Sequence, residues 1–235
     1  GLIKIFSMDN IKDAKAIYIN TPNNPTGWVM SSQEQSEILE LCRKEKTWVI
    51  SDEVYERIIY DRKVAPSFLD ISKEDDLLIV VNSFSKSWAM TGWRLGWMIV
   101  PEGLINIFEK LNEFNVASPS SPAQHAGVVA IKEGENFIEK MIHNLKISRS
   151  IALENLNDFS RVVFPYSEAA FYAYFKIKDI SDSEKFCFDT LKKTGVGLAP
   201  GTSFGNGGNS WIRICYAKSP NLLNKAFEKL KPVLS

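Results

Sequence analysis

Four short apolar, β-rich runs organise the first half of the chain: AKAIYIN (14–20), TWVISD (47–52), DLLIVVNS (76–83) and GWMIVP (96–101). Between the first two lies SSQEQSEILELCRKEK, where Ser31 or Ser32 can cap a helix whose apolar side includes Ile38, Leu41 and Cys42. Helical spacing returns after the fourth run, in GLINIFEKLNEF. Strands that read almost continuously apolar and alternate with helical segments predict a mostly parallel sheet covered on both faces. This α/β reading directs attention to one edge, because such sheets take their ligands just beyond the carboxyl ends of their strands.

The second half has a different pattern. NFIEKMIHNLKISRSIALENLNDF (136–159) predicts one long amphipathic helix. AAFYAYFKI, GVGLAPG and SWIRICYA read as strands interleaved with the helical SEKFCFDTLKKT and PNLLNKAFEKLKPVL, and GTSFGNGGNS reads as a glycine-rich loop. We therefore expect a first domain over 1–138 and a smaller α+β C-terminal domain over 139–235.

Composition narrows the class of partner. The 28 basic and 28 acidic residues cancel, which argues against a polybasic surface for nucleic acid or for an anionic membrane. Three scattered cysteines without CxxC spacing argue against a zinc site and for a reducing compartment. No apolar run approaches the roughly 20 residues needed to span a bilayer. The opening GLIKIFSMDN lacks the apolar core and cleavage site of a signal peptide. A soluble, cytoplasmic protein is expected.

Polar residues succeed each strand. Asn24 comes after the first, Asp52 and Tyr55 after the second, and Ser83, Lys86 and Arg94 after the third. An amide, a carboxylate, a phenol, a hydroxyl, an amine and a guanidinium on one edge complement a ligand with an aldehyde, a phenolic oxygen, a ring nitrogen and a phosphate. Each has a plainer reading. NPTG is a common turn, Asp52 and Ser83 can cap the adjoining helical turns, a lysine is usually solvated, and Trp88, Trp93 and Trp97 can be core. Arg213, inside the apolar WIRICYA, is harder to dismiss, since a guanidinium is seldom buried without an anion to meet it.

NNPTG, SDEVY, SFSKSWAMTGWRLGW and WIRICYA together closely resemble the aspartate-aminotransferase superfamily, fold type I of the pyridoxal-phosphate enzymes. The motifs stand in the family's order, and the resemblance extends to ASPSSPAQ and APGTSFG. It implies pyridoxal 5'-phosphate (PLP) as cofactor, carried by Lys86, with Ser83 and Arg94 holding its phosphate. Asp52 would pair with the pyridine nitrogen, Tyr55 and Asn24 would bond the ring's phenolic oxygen, and Arg213 would grip a substrate α-carboxylate. An amine that attacks a carbonyl must be unprotonated, a state that desolvation favours.

The implied reaction is amino transfer between an α-amino acid and a 2-oxo acid, in a protein that forms a homodimer when intact. Other fold-type I chemistry, such as carbon–sulfur cleavage, uses the same cofactor residues, as does the effector domain of some transcription regulators. The resemblance also implies a cis bond between Asn24 and Pro25. It gives His125 and His143 no catalytic position, and it leaves Ala169 of SEAAFY where many members have glycine. Members are commonly longer, so the chain is expected to match a C-terminal portion, lacking a phosphate-binding loop and a ring-stacking aromatic, and to be inactive alone.

Overall fold

A computed structural model describes residues 11–235; the opening GLIKIFSMDN, and with it the signal-peptide reading, lies outside them. The chain divides into two compact units. The first comprises the described residues up to Pro22, Val29–Ile58 and Arg62–Ile138. The second comprises Asn23–Trp28, Ile59–Asp61 and Glu139–Ser235, so two short segments group with it although they lie within the first in sequence.

The first unit is built on strands β1 (Ala16–Asn20), β2 (Trp48–Asp52), β3 (Leu78–Ser83) and β4 (Gly96–Ile99), in the order β1-β2-β3-β4. The first three run parallel and β4 runs antiparallel to β3. Helix α1 (Ser32–Glu45) connects β1 to β2. Ser31 starts it through a capping box: its hydroxyl accepts from the Glu34 N–H, and the Glu34 carboxylate accepts from the Ser31 N–H. Its buried stripe is Gln35, Ile38, Leu39 and Cys42, the spacing of one helix face. Leu39, rather than the half-buried Leu41, belongs to that stripe.

Burial alternates along the sheet. Ile17, Ile19, Val49, Ser51, Leu78 and Val80 are buried, whereas Tyr18, Asn20, Ile50, Asp52, Ile79 and Val81 are half-buried or exposed. Among the described residues, then, only one face is fully covered, contrary to the expectation from the apolar runs. Helix α1 supplies one layer, but the β2–β3 connection holds no helix beyond the 3-10 turn Phe68–Asp70. After β4 come α2 (Ile105–Val116) and α3 (Ser121–Glu133). No residue of α2 is buried, while Gly127 of α3 packs so closely on Leu95 and Phe84 that a Cβ there would lie 2.6 Å from Leu95 Cδ2.

The long helix α4 (Glu135–Asp158) leads into the second unit. Its sheet has the order β5-β6-β8-β7, from β5 (Val162–Tyr166), β6 (Tyr172–Ile177), β7 (Ala199–Pro200) and β8 (Trp211–Cys215), all antiparallel. Helices α5 (Ser183–Thr194) and α6 (Pro220–Leu234) complete it. Leu156, Phe175, Ile177, Ile212, Tyr216, Phe227 and Leu230 form its core. Strand β5 had no expectation from sequence. The predicted strand GVGLAPG shrinks to Ala199–Pro200 because Gly195, at φ +72°, is the left-handed cap of α5. GTSFGNGGNS folds into two 3-10 turns rather than an open loop. Their backbones touch, since a Cβ on Gly208 would sit 2.1 Å from the Gly201 carbonyl carbon.

Candidate active site

The carboxyl edge of β1–β3 is where the first unit's polar residues gather. Asn20 and Asp52 are register partners. The Asp52 carboxylate accepts through Oδ1 from the Val54 N–H at 3.2 Å and through Oδ2 from the Tyr18 hydroxyl at 2.5 Å. The Asn20 amide donates to the Asp52 carbonyl at 3.1 Å. Partial burial, then the bond to Asp52, holds the Tyr18 phenol well above the ordinary tyrosine range. Tyr55, three residues on, is buried, and the Lys86 Nζ lies 5.6 Å from its ring centroid.

Glu53 keeps this turn in place. Its carboxylate is buried and accepts from the Ser51 hydroxyl at 2.9 Å, the Ser67 hydroxyl at 2.7 Å and the Phe68 N–H at 3.2 Å. Burial pushes it above the ordinary glutamate range, against the pull of those three donors. The Glu53 N–H also donates to the Val81 carbonyl at 2.9 Å, continuing the sheet one step beyond β2.

Beyond β3 the chain makes a single helical turn, Phe84–Ser87, which carries Lys86 half-buried. Ser83 caps that turn: its hydroxyl accepts from the Ser85 N–H at 3.0 Å and donates to the Leu95 carbonyl at 3.2 Å. Arg94 sits exposed in the left-handed region at φ 51°, its Nη1 donating to the Thr91 carbonyl at 2.9 Å and lying 3.5 Å from the Ser85 hydroxyl. Phe84, Trp88 and Trp97 pack together beneath this turn, with ring centroids 4.9–6.3 Å apart, whereas Trp93 is exposed.

Asn24 and Arg213 belong to the second unit. The Arg213 Nη1 donates to the Asn24 Oδ1 at 2.7 Å, and the guanidinium carbon lies 4.2 Å from the Tyr172 ring centroid and 4.7 Å from that of Phe204. Among the described residues its buried Nε has no hydrogen-bond partner. A guanidinium stacked on aromatic rings carries planar N–H donors of the kind that suit a carboxylate. The Asn24–Pro25 bond is cis, as is Thr21–Pro22. His125 and His143 are exposed on helices α3 and α4.

Two residues of this edge escaped the sequence reading. Ser85 lay inside the SFSK motif but had no assigned part. Tyr18 could have been found from register alone, because it shares its sheet face with Asn20 and so with Asp52.

The donor set fits PLP. Serine hydroxyls beside a guanidinium suit a phosphate, an amine suits a carbonyl carbon, and a carboxylate suits a protonated ring nitrogen. Such a sheet edge defines a fold-type I, PLP-dependent class of protein. The chain belongs to the aminotransferase class I and II family, whose model matches residues 5–230, and the cofactor of that family is PLP.

Aromatic-amino-acid aminotransferase 2 of Thermococcus litoralis is 32% identical over 224 residues, spanning 94% of this chain and 57% of its own. Aspartate aminotransferase of Thermotoga maritima is 33% identical over 221 residues, spanning 94% of this chain and 56% of its own. The crystal structure of the Thermotoga maritima enzyme superposes with a TM-score of 0.85, covering 94% of this chain and 56% of that one at 32% identity. The chain thus spans a little over half the length of the curated relatives it matches. Among the described residues no helix is long and apolar enough to cross a membrane.

Proposed function

We propose that the protein carrying this chain transfers amino groups between α-amino acids and 2-oxo acids, with PLP held on Lys86. The observation that carries this reading is the gathering of Asp52, Ser83, Lys86 and Arg94 at one sheet edge in a chain of this family. PLP, when bound, supplies an electron sink for the charge left at the substrate's Cα. Lys86 would hold the cofactor's carbonyl carbon, and as a free amine it would take the substrate's Cα proton as general base. Asp52 would keep the pyridine nitrogen protonated. Ser83, Ser85 and Arg94 would hold the phosphate, and Tyr55 and Asn24 the ring oxygen. Arg213 would receive the α-carboxylate, for which its planar guanidinium and its two flanking rings suit it.

The three cysteines are free, which supports a cytoplasmic protein, and the resemblance supports a homodimer. A first domain over 1–138 and a second over 139–235 remain our division of labour: cofactor chemistry in the former, carboxylate recognition in the latter. Borohydride reduction of the PLP-loaded protein followed by peptide mapping tests the central assignment. The pyridoxyl group is expected on Lys86, and its recovery on any other lysine would overturn it.

A further inference from the structure

Tyr18 is a residue that packing does not explain. It is 61% exposed, yet its hydroxyl makes a 2.5 Å bond to Asp52 Oδ2. The geometry comes from the sheet. In the parallel β1–β2 ladder Tyr18 stands opposite Ile50 and Asn20 opposite Asp52, so Tyr18 and Asp52 are diagonal neighbours on one face. A tyrosine is long enough to span that diagonal, whereas a shorter hydroxyl is not. Asp52 is held at three atoms: its carbonyl by the Asn20 amide and the Thr21 N–H, its Oδ1 by the Val54 N–H and its Oδ2 by Tyr18. A phenol donating to a carboxylate makes a charge-assisted bond, stronger than a neutral one.

We propose that Tyr18 is a positioning residue that orients the Asp52 carboxylate and sets how strongly it holds a ring-nitrogen proton. The inference rests on the assignment of Asp52 to the pyridine nitrogen. A carboxylate bonded through both oxygens presents its remaining lone pairs in a fixed direction. The same bond draws charge from the carboxylate and so weakens its grip on a second proton donor. Removing the phenol oxygen returns that charge, and the ring nitrogen is then protonated more firmly. Asp52 is the ionisable group that acts on the Tyr18 phenol, so the pair can be perturbed from either side.

The test uses Tyr18→Phe and Asp52→Asn. In protein loaded with 15N-labelled PLP, Tyr18→Phe is expected to shift the ring-nitrogen protonation equilibrium about three- to tenfold toward the protonated form, the worth of an exposed charge-assisted hydrogen bond. Asp52→Asn should abolish the protonated signal. In the cofactor-free chain, Asp52→Asn should return the Tyr18 phenol toward the ordinary tyrosine range, identified by its absence in Tyr18→Phe.

If Asp52→Asn leaves the nitrogen signal unmoved, the assignment of Asp52 fails and this inference with it. If Asp52→Asn moves the signal while Tyr18→Phe does not, the inference on Tyr18 alone is overturned. A phenol titration indifferent to Asp52→Asn overturns it equally, without any cofactor present.

Discussion

Glu53 allows a prediction whose size comes from its contacts. Replacing it with alanine leaves three donors facing no acceptor: the Ser51 hydroxyl, the Ser67 hydroxyl and the Phe68 N–H. Ser51 and Phe68 are fully buried, so neither reaches water easily. Ser67 lies nearer the surface and finds a substitute. A buried donor left without a partner costs about 1–3 kcal/mol, so two of them put Glu53→Ala at about 3–4 kcal/mol.

Glutamine behaves differently. Its Oε1 still accepts from Ser51 and Phe68, and its amide can donate to the Ser67 oxygen. The expected loss is about 1 kcal/mol or less near neutral pH. Burial holds the Glu53 carboxyl above its unfolded value, so the folded state binds the proton more readily. Wild-type stability from this group therefore falls as pH rises between the unfolded and the folded titration, and Glu53→Gln is flat across that window. Urea denaturation with hydrogen exchange on peptides from β2 and β3 measures both effects within the first unit. A Glu53→Ala cost below about 1 kcal/mol, or a glutamine variant as damaged as the alanine one, would refute the reasoning.

Asp76, buried and paired with Arg43 through bonds of 2.6 Å to Nε and Nη2, is held below the ordinary aspartate range chiefly by that guanidinium. Its contribution is present above the unfolded carboxylate value and lost as pH falls through the folded one, so Asp76→Asn should cost about 2–3 kcal/mol near neutrality and flatten the acid limb of a stability profile. Ala170 is fully buried at φ 58°, the left-handed region, and Ala170→Gly is expected to stabilise the second unit by about 0.5–1 kcal/mol in thermal denaturation. Arg213→Lys keeps the charge but loses the planar fork, and substrate affinity should fall about ten- to hundredfold with PLP loading unchanged, as read by substrate titration of the cofactor's absorbance.

The sequence made the first sheet legible because the polar residues terminating each apolar run sit at strand ends for a physical reason. Asp52, Ser83 and Lys86 could be placed at one edge without knowing the register. Tyr18 could not, because its part depends on which residue of β2 lies diagonally across, and an exposed tyrosine on a strand carries no signal of its own. Strand β5 was hidden by Pro165 and by the irregular backbone at Phe164, φ 56°, which break the alternation that marks a strand. The apolar character of β1–β3 suggested two covered faces, yet apolar composition reports what a strand can bury rather than what covers it. The left-handed Ala170 stands beside Ala169, the position where the family resemblance pointed to glycine. An alanine held in that conformation by its surroundings gives no local sign in sequence.

The turn that carries Lys86 begins and ends at the same edge of the sheet, because β4 returns antiparallel to β3. Its two ends are tied together: the Phe84 N–H and the Ser83 hydroxyl both donate to the Leu95 carbonyl, at 3.1 and 3.2 Å. Whatever lies between is a closed excursion, and its length does not set which residue of β3 faces which residue of β4. Insertions or replacements near Met90 and Thr91 can therefore change the shape of the wall around Arg94 while the ladder of Val80 with Ile99 and Val81 with Met98 stays in step. The chemistry of this edge can be varied separately from the frame that holds it.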